Sequence, residues 1–147
     1  MSSPPFDSTI DLAPRASLRA LTLLFWLHVA VLAGLMIALS PGPAMAGLAA
    51  LSALSWLWTR RHPAFGFGPR ALTRLTWHAG GTWTVHSATG GSSTAELLGN
   101  TLVHEYLLVL NFRLQDGSRR SRALLGDELD PELLRRLRAR LRLERGV

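Results

Sequence analysis

The chain of 147 residues contains no cysteine and no lysine. The first absence removes disulfides, thiolate nucleophiles and cysteine-based zinc or iron-sulfur centres, and leaves the redox compartment open. The second makes every one of the 16 basic side chains an arginine. With Ala, Leu and Gly also abundant, that bias fits a GC-rich coding sequence as well as it fits a chemical demand. Charge itself is missing from residues 20–59, about forty positions without Asp, Glu, Lys or Arg, twice what one apolar helix needs to cross a bilayer. No internal repeat is visible.

What is present is sharply partitioned. Hydrophobic residues make up 48% of the chain and the formal charge is +6. Before Arg60 the only cations are Arg15 and Arg19, and the remaining arginines all follow. A basic balance of this kind favours acidic proteins, anionic lipid or nucleic acid as partners. The length allows one ordinary domain, or a short membrane segment with a modest domain behind it.

Residues 21–39, LTLLFWLHVAVLAGLMIAL, would make a helix of about 28 Å, close to the hydrocarbon thickness of a bilayer. Residues 44–59 are shorter and richer in Ala and Ser. Between the two runs stands SPGP, with two helix-breaking prolines. A cleaved signal peptide is one reading, because Arg15 and Arg19 precede the apolar run and Ala44-Met45-Ala46 has the small-x-small pattern of a cleavage site. The apolar run exceeds the usual length of about 7 to 15 residues for a signal core, however, and cleavage would leave a second greasy segment at the new terminus. A transmembrane hairpin explains more. Arg15 and Arg19 flank its start and Arg60 and Arg61 its end, so both ends face the cytoplasm, with Trp56 and Trp58 at the interface. Small residues at Ala30, Gly34 and Ala38 on the first helix and Ala46, Ala49, Ala50 and Ala53 on the second would let the helices approach closely. Self-association of the hairpin stays open. His28 is the one titratable group in the span and reads as a neutral, locally bonded side chain.

After Arg61 the pattern changes. Met1 to Pro14 reads as a disordered lead-in, residues 15–61 as the hairpin, 62–70 as a Pro/Gly-rich linker, and 71–147 as a cytosolic domain. In that domain Leu72, Leu75 and Trp77 mark one strand and Trp83 and Val85 the next, separated by glycine turns. Leu108, Leu110, Phe112 and Leu114 alternate ahead of Asp116-Gly117, a hairpin turn. The expectation is an α+β fold, with an antiparallel sheet of about four to six strands after the helices. A final amphipathic helix starts at Asp130 as cap, with Pro131 and Glu132 in its first turn, and Leu133, Leu134, Leu137 and Leu141 form its apolar stripe. Arg135, Arg136, Arg138, Arg142 and Arg145 occupy the remaining surface, either as a solvated face or as a surface for acidic protein or lipid headgroups.

Catalytic signatures are lacking. His104-Glu105 opens like a zinc-protease helix, but Leu108 stands where the second His is required. His62, His78, His86 and His104 are scattered, so no metal is expected, and the Gly-Gly pairs at 80–81 and 90–91 lack the Lys-Ser/Thr of a phosphate loop. The expectation is a protein that is not an enzyme and holds no cofactor. A ligand site built on His28 and His104 is the weakest reading.

The order of these segments carries a resemblance. A short apolar hairpin ending in Arg-Arg, then LTWHAGGTWTV, then LLVLNFRLQDGSRRSRALLGDELDPELLRRLR, resembles the YgfX/CptA family of small bacterial inner-membrane proteins, the toxin components of a toxin-antitoxin pair. Leu124-Leu125, Asp127, Asp130, Arg135, Leu137 and Arg138 stand where the family has its acidic turn and Arg-Leu-Arg helix; Leu134 departs, since the family commonly has Trp there. The resemblance implies a multi-pass inner-membrane protein with cytoplasmic termini that interferes with the cytoskeletal polymers FtsZ and MreB. It implies no nucleic acid. Its implied partner is a small acidic protein, an antitoxin or SdhE-like flavinylation factor, contacted through Asp127, Asp130, Arg135, Arg136, Arg138 and Arg142. An assembly or scaffold role without toxicity is the alternative.

Overall fold

The computed structural model describes residues 9–145. It begins with a short strand, β1 (Ile10–Leu12), followed by helices α1 (Leu18–Ala38) and α2 (Pro43–Thr59). A 3-10 turn at Pro63–Phe65 leads into strands β2 (Leu72–Trp77), β3 (Trp83–Ser87), β4 (Ser92–Leu97), β5 (Leu102–Val103), β6 (Leu108–Leu114) and β7 (Arg119–Leu124). Helix α3 (Pro131–Arg145) ends the described chain. The protein is thus an α+β mixture, with an N-terminal apolar helix, a curled antiparallel sheet and a C-terminal helix.

All strand pairings are antiparallel and run β1-β2-β3-β4-β6, with β7 on the far edge of β6 and β5 beside its first residues. The seven strands among the described residues exceed the expected four to six because β1 and β5 are too short to show an alternation in sequence. The inward residues of β6 are Leu108, Leu110 and Phe112, all fully buried, as a period of two requires. In β2 the buried Leu72 and Leu75 are three apart, and a register shift between Leu72 and Arg74 returns both to the same face. Gly117 takes φ 80° in the turn between β6 and β7, where a side chain would be strained.

Helix α3 covers the inner face, placing Leu134, Leu137 and Leu141 in one core with Leu12, Leu75, Trp77, Trp83, Val85 and Leu124. Its start follows from its sequence: Asp130 Oδ1 accepts from the Glu132 amide (2.9 Å), and Glu132 pairs with Arg135 (2.9 Å) and Arg136 (3.1 Å). Trp77 and Trp83 stack at 4.7 Å, and Phe112 meets Trp83 edge-on at 5.2 Å.

One expectation is corrected here. Residues 10–12 are not a disordered lead-in, because Ile10 and Leu12 face the core while Asp11 points outward and pairs with Arg74 at 2.8 Å. A three-residue strand among Ser and Pro leaves too little alternation to read. Residues 1–8 of that segment lie outside the described residues.

Among the described residues, α1 is the one helix that passes by length and composition as a membrane span. Its 21 residues extend about 32 Å. Helix α2 has 17 residues, about 26 Å, and packs along α1.

Candidate functional site at the junction of helix and sheet

The start of α1 is bonded to the β domain through several independent contacts. Ser17 caps the helix, its Oγ accepting from the Ala20 amide (3.1 Å) and donating to Asp127 Oδ1 (2.8 Å). The Arg19 amide, which has no partner inside a helix because it lies in the first turn, donates to Asp127 Oδ2 (2.8 Å). The Arg15 amide donates to the Glu128 carbonyl (2.9 Å), and the Ser17 amide to the Phe65 carbonyl (3.0 Å). The Glu128 carboxylate, itself buried, accepts from the amides of Leu125 (2.8 Å) and Gly126 (2.8 Å) and so shapes the loop that presents Asp127. Partial burial raises the Asp127 pKa, but the hydrogen bonds from Arg19 and Ser17 outweigh it and hold the carboxyl below its ordinary value.

Arg122 sits beneath this loop with no solvent exposure. It lies opposite Leu110 in the ladder, and therefore on the core face of β7. Its Nη2 donates to the carbonyls of Pro14 (3.3 Å) and Arg15, while Nε and Nη1 have no hydrogen-bond partner among the described residues. Burial lowers its pKa, and the nearby charges of Glu128 and Asp127 partly offset that. Gly66, at φ 92°, closes the pocket from the other side: a Cβ there would lie 2.7 Å from Arg122 Nη2 and 2.8 Å from Cζ. The segment expected to be a linker, residues 62–70, is thus partly packed into this junction.

The anticipated site residues fall into three groups. Asp127 and Asp130, expected to meet a partner, instead serve the fold, Asp127 as the clamp on α1 and Asp130 as the cap of α3. Arg135, Arg136 and Arg142 are exposed on α3, and the bonds from Arg135 and Arg136 lower the Glu132 pKa to about 2. Arg138 is half-buried, its buried Nε without a hydrogen-bond partner among the described residues. Arg140 was not anticipated. Its guanidinium lies 4.2 Å from the centre of the Trp77 ring and donates to the His78 carbonyl (3.4 Å). Helical spacing could have found it, seven residues after Leu133 and three after Leu137; Arg122 was equally legible, two residues before inward Leu124.

The small-residue stripes are placed differently from expectation. Ala30, Gly34 and Ala38 are exposed, as are Ala46, Ala50 and Ala53, and a Cβ on Gly34 would meet nothing within 4 Å. The half-buried positions of α2 are instead Met45, Ala49, Ser52, Trp56 and Thr59, at alternating steps of four and three. Larger side chains make the seam: Trp56 meets Phe25 at 5.7 Å and His28 at 5.6 Å. His28 bonds to the Leu24 carbonyl (2.7 Å) and to Ser55 Oγ (3.3 Å). Trp56 therefore faces α1, whereas Trp58 is 79% exposed. Arg15, Arg19, Arg60 and Arg61 all lie at this one end of the helix pair and are exposed. His104 accepts from the Tyr106 amide (3.3 Å), far in sequence from His28 and not bonded to it.

A membrane-length apolar helix, capped by the loop of a basic α+β domain and ringed at that end by arginines, defines a class of small anchored proteins. A family model described as the membrane-bound toxin component of a toxin-antitoxin system, the CptA toxin, matches residues 8–145, and the chain belongs to that family. No curated protein and no solved structure matches it.

Proposed function

We propose that the chain is a two-pass inner-membrane toxin in which α1 and α2 form a transmembrane hairpin and the β domain acts in the cytoplasm on acidic protein partners. The arginines at the open end of the helix pair, against an uncharged Leu39–Gly42 turn at the other, support this orientation. The single observation that carries the interaction reading is the exposed arginine face of α3, Arg135, Arg136 and Arg142, on a helix whose opposite face is fully committed to the core. An anchored basic surface raises the effective concentration of weak contacts with partners near the membrane. An SdhE-like acidic antitoxin and the FtsZ and MreB polymers are the partners proposed, and the protein works by binding rather than by catalysis.

Reporter fusions at Gly42 and Val147 test the topology: a periplasmic Val147 sinks the cytoplasmic reading. Overexpression with cell-shape microscopy tests the toxin reading, with division blocked in the native protein and restored when Arg135, Arg136 and Arg142 are replaced by Gln. A pull-down that retains a respiratory assembly factor, with normal division throughout, would favour the scaffold role instead.

A further inference from the structure

Helix α2 carries a groove of about 690 Å³ lined by Leu51, Leu54, Ser55, Leu57, Trp58 and Arg61, bordered at Ser55 by the seam with α1. We propose that it holds one anionic phospholipid, with an acyl chain along the leucines and the headgroup phosphate at the Arg61 guanidinium. The inference rests on the reading that α2 crosses the membrane.

Three observations carry it. The first is length: from Leu51 to Arg61 the chain rises about 15 Å, half of a hydrocarbon core of about 30 Å, so the groove spans one leaflet and ends in a cation at headgroup depth. The second is charge. No Asp or Glu occurs between Asp11 and Glu96, and among the described residues Arg60 and Arg61 make no ion pair, which leaves the cation at the mouth available to an anionic headgroup. The third is the rim, where the exposed Trp58 indole stands one turn before Arg61, the depth at which a half-apolar, half-polar ring is stable. A second copy of the chain fits less well. Copies inserted the same way would meet at equal depth across a two-fold axis, bringing Arg61 against Arg61.

The test uses the full-length protein in nanodiscs and in detergent. Alkaline extraction and a Gly42 reporter first establish that α2 is inserted; failure there overturns the hairpin reading together with the lipid site. With insertion established, native mass spectrometry follows retention of phosphatidylglycerol against phosphatidylcholine. The expected result is preferential retention of phosphatidylglycerol, weakened about fivefold by Arg61→Gln, less by Arg60→Gln, and abolished for both lipids by Leu54→Trp, which fills the groove. Equal retention of the two lipids, or equal effects of Arg60→Gln and Arg61→Gln, would overturn the site. So would a dimer peak lost on Leu54→Trp, since the occupant would then be a second copy.

Discussion

Replacing Asp127 with Ala should loosen the first turn of α1 at its junction with the β domain, while the Arg15, Ser17 and Arg122 backbone contacts keep the two parts together. The carboxylate accepts two hydrogen bonds at 2.8 Å, one from Ser17 Oγ and one from the Arg19 amide. A hydrogen bond to a charged group contributes about 1.5 to 3 kcal/mol when well shielded. The Arg19 contact is solvent-exposed and the Ser17 contact only part-buried, so screening brings each down to about 1 kcal/mol and the two together contribute about 2 kcal/mol. The amide of Arg19 reports this directly, because as a first-turn donor it depends on Asp127 for protection. Its hydrogen exchange in nanodiscs should accelerate about thirtyfold in Asp127→Ala, since each 1.4 kcal/mol is a factor of ten. Amides in the middle of α1 and in β6 should keep their rates. Ser17→Ala should leave the Arg19 contact in place while removing the bond to Asp127 and the cap to the Ala20 amide, the cap being about 1 kcal/mol of that loss. If the Arg19 amide exchanges equally fast in the native protein and in Asp127→Ala, the junction is not held by this carboxylate and the clamp is wrong.

Other outcomes follow from the same geometry. Gly66→Ala should lower thermal stability by about 2 kcal/mol or more, through strain at positive φ and collision with buried Arg122; an unchanged melting temperature refutes that packing. Leu137→Ala, a full truncation in the core beneath α3, should cost about 2 to 5 kcal/mol in denaturant titration of the intact protein, with a loss under 1 kcal/mol showing that α3 does not cover the sheet. Glu132 should titrate near 2 rather than at its ordinary 4.5. Its pairing with Arg135 and Arg136 is therefore present in full above about 4.5 and is lost as pH falls toward 2, so the first turn of α3 should fray only in that acid window. A carboxyl resonance moving at 4.5 would contradict the pairing.

The alternation of β6, the Asp-Gly turn and the cap of α3 were all readable because each rests on neighbours within a few residues. The apolar length of α1 was readable for the same reason. The Ala30, Gly34 and Ala38 stripe misled because small residues permit close packing without compelling it, and the aromatic contacts of Trp56 with Phe25 and His28 set the seam instead. Arg122 and Arg140 were missed because a charged residue is ordinarily read as surface, although the period of strand and helix put both on the buried side.

Composition and periodicity by themselves determined a membrane-length helix, an antiparallel sheet and an amphipathic helix rich in arginine, since these depend on short-range spacing and on the solvent each face prefers. Only the tertiary structure decided the use of the acidic turn. Asp127 and Glu128 are more than a hundred residues from Ser17 and Arg15 in sequence, and they meet them because the curled sheet brings the end of β7 back to the segment between β1 and α1. Contacts across that separation leave no local pattern, because either partner alone looks like an exposed polar residue. It is folding around the buried Arg122 that turns them from a candidate docking surface into the joint between helix and domain.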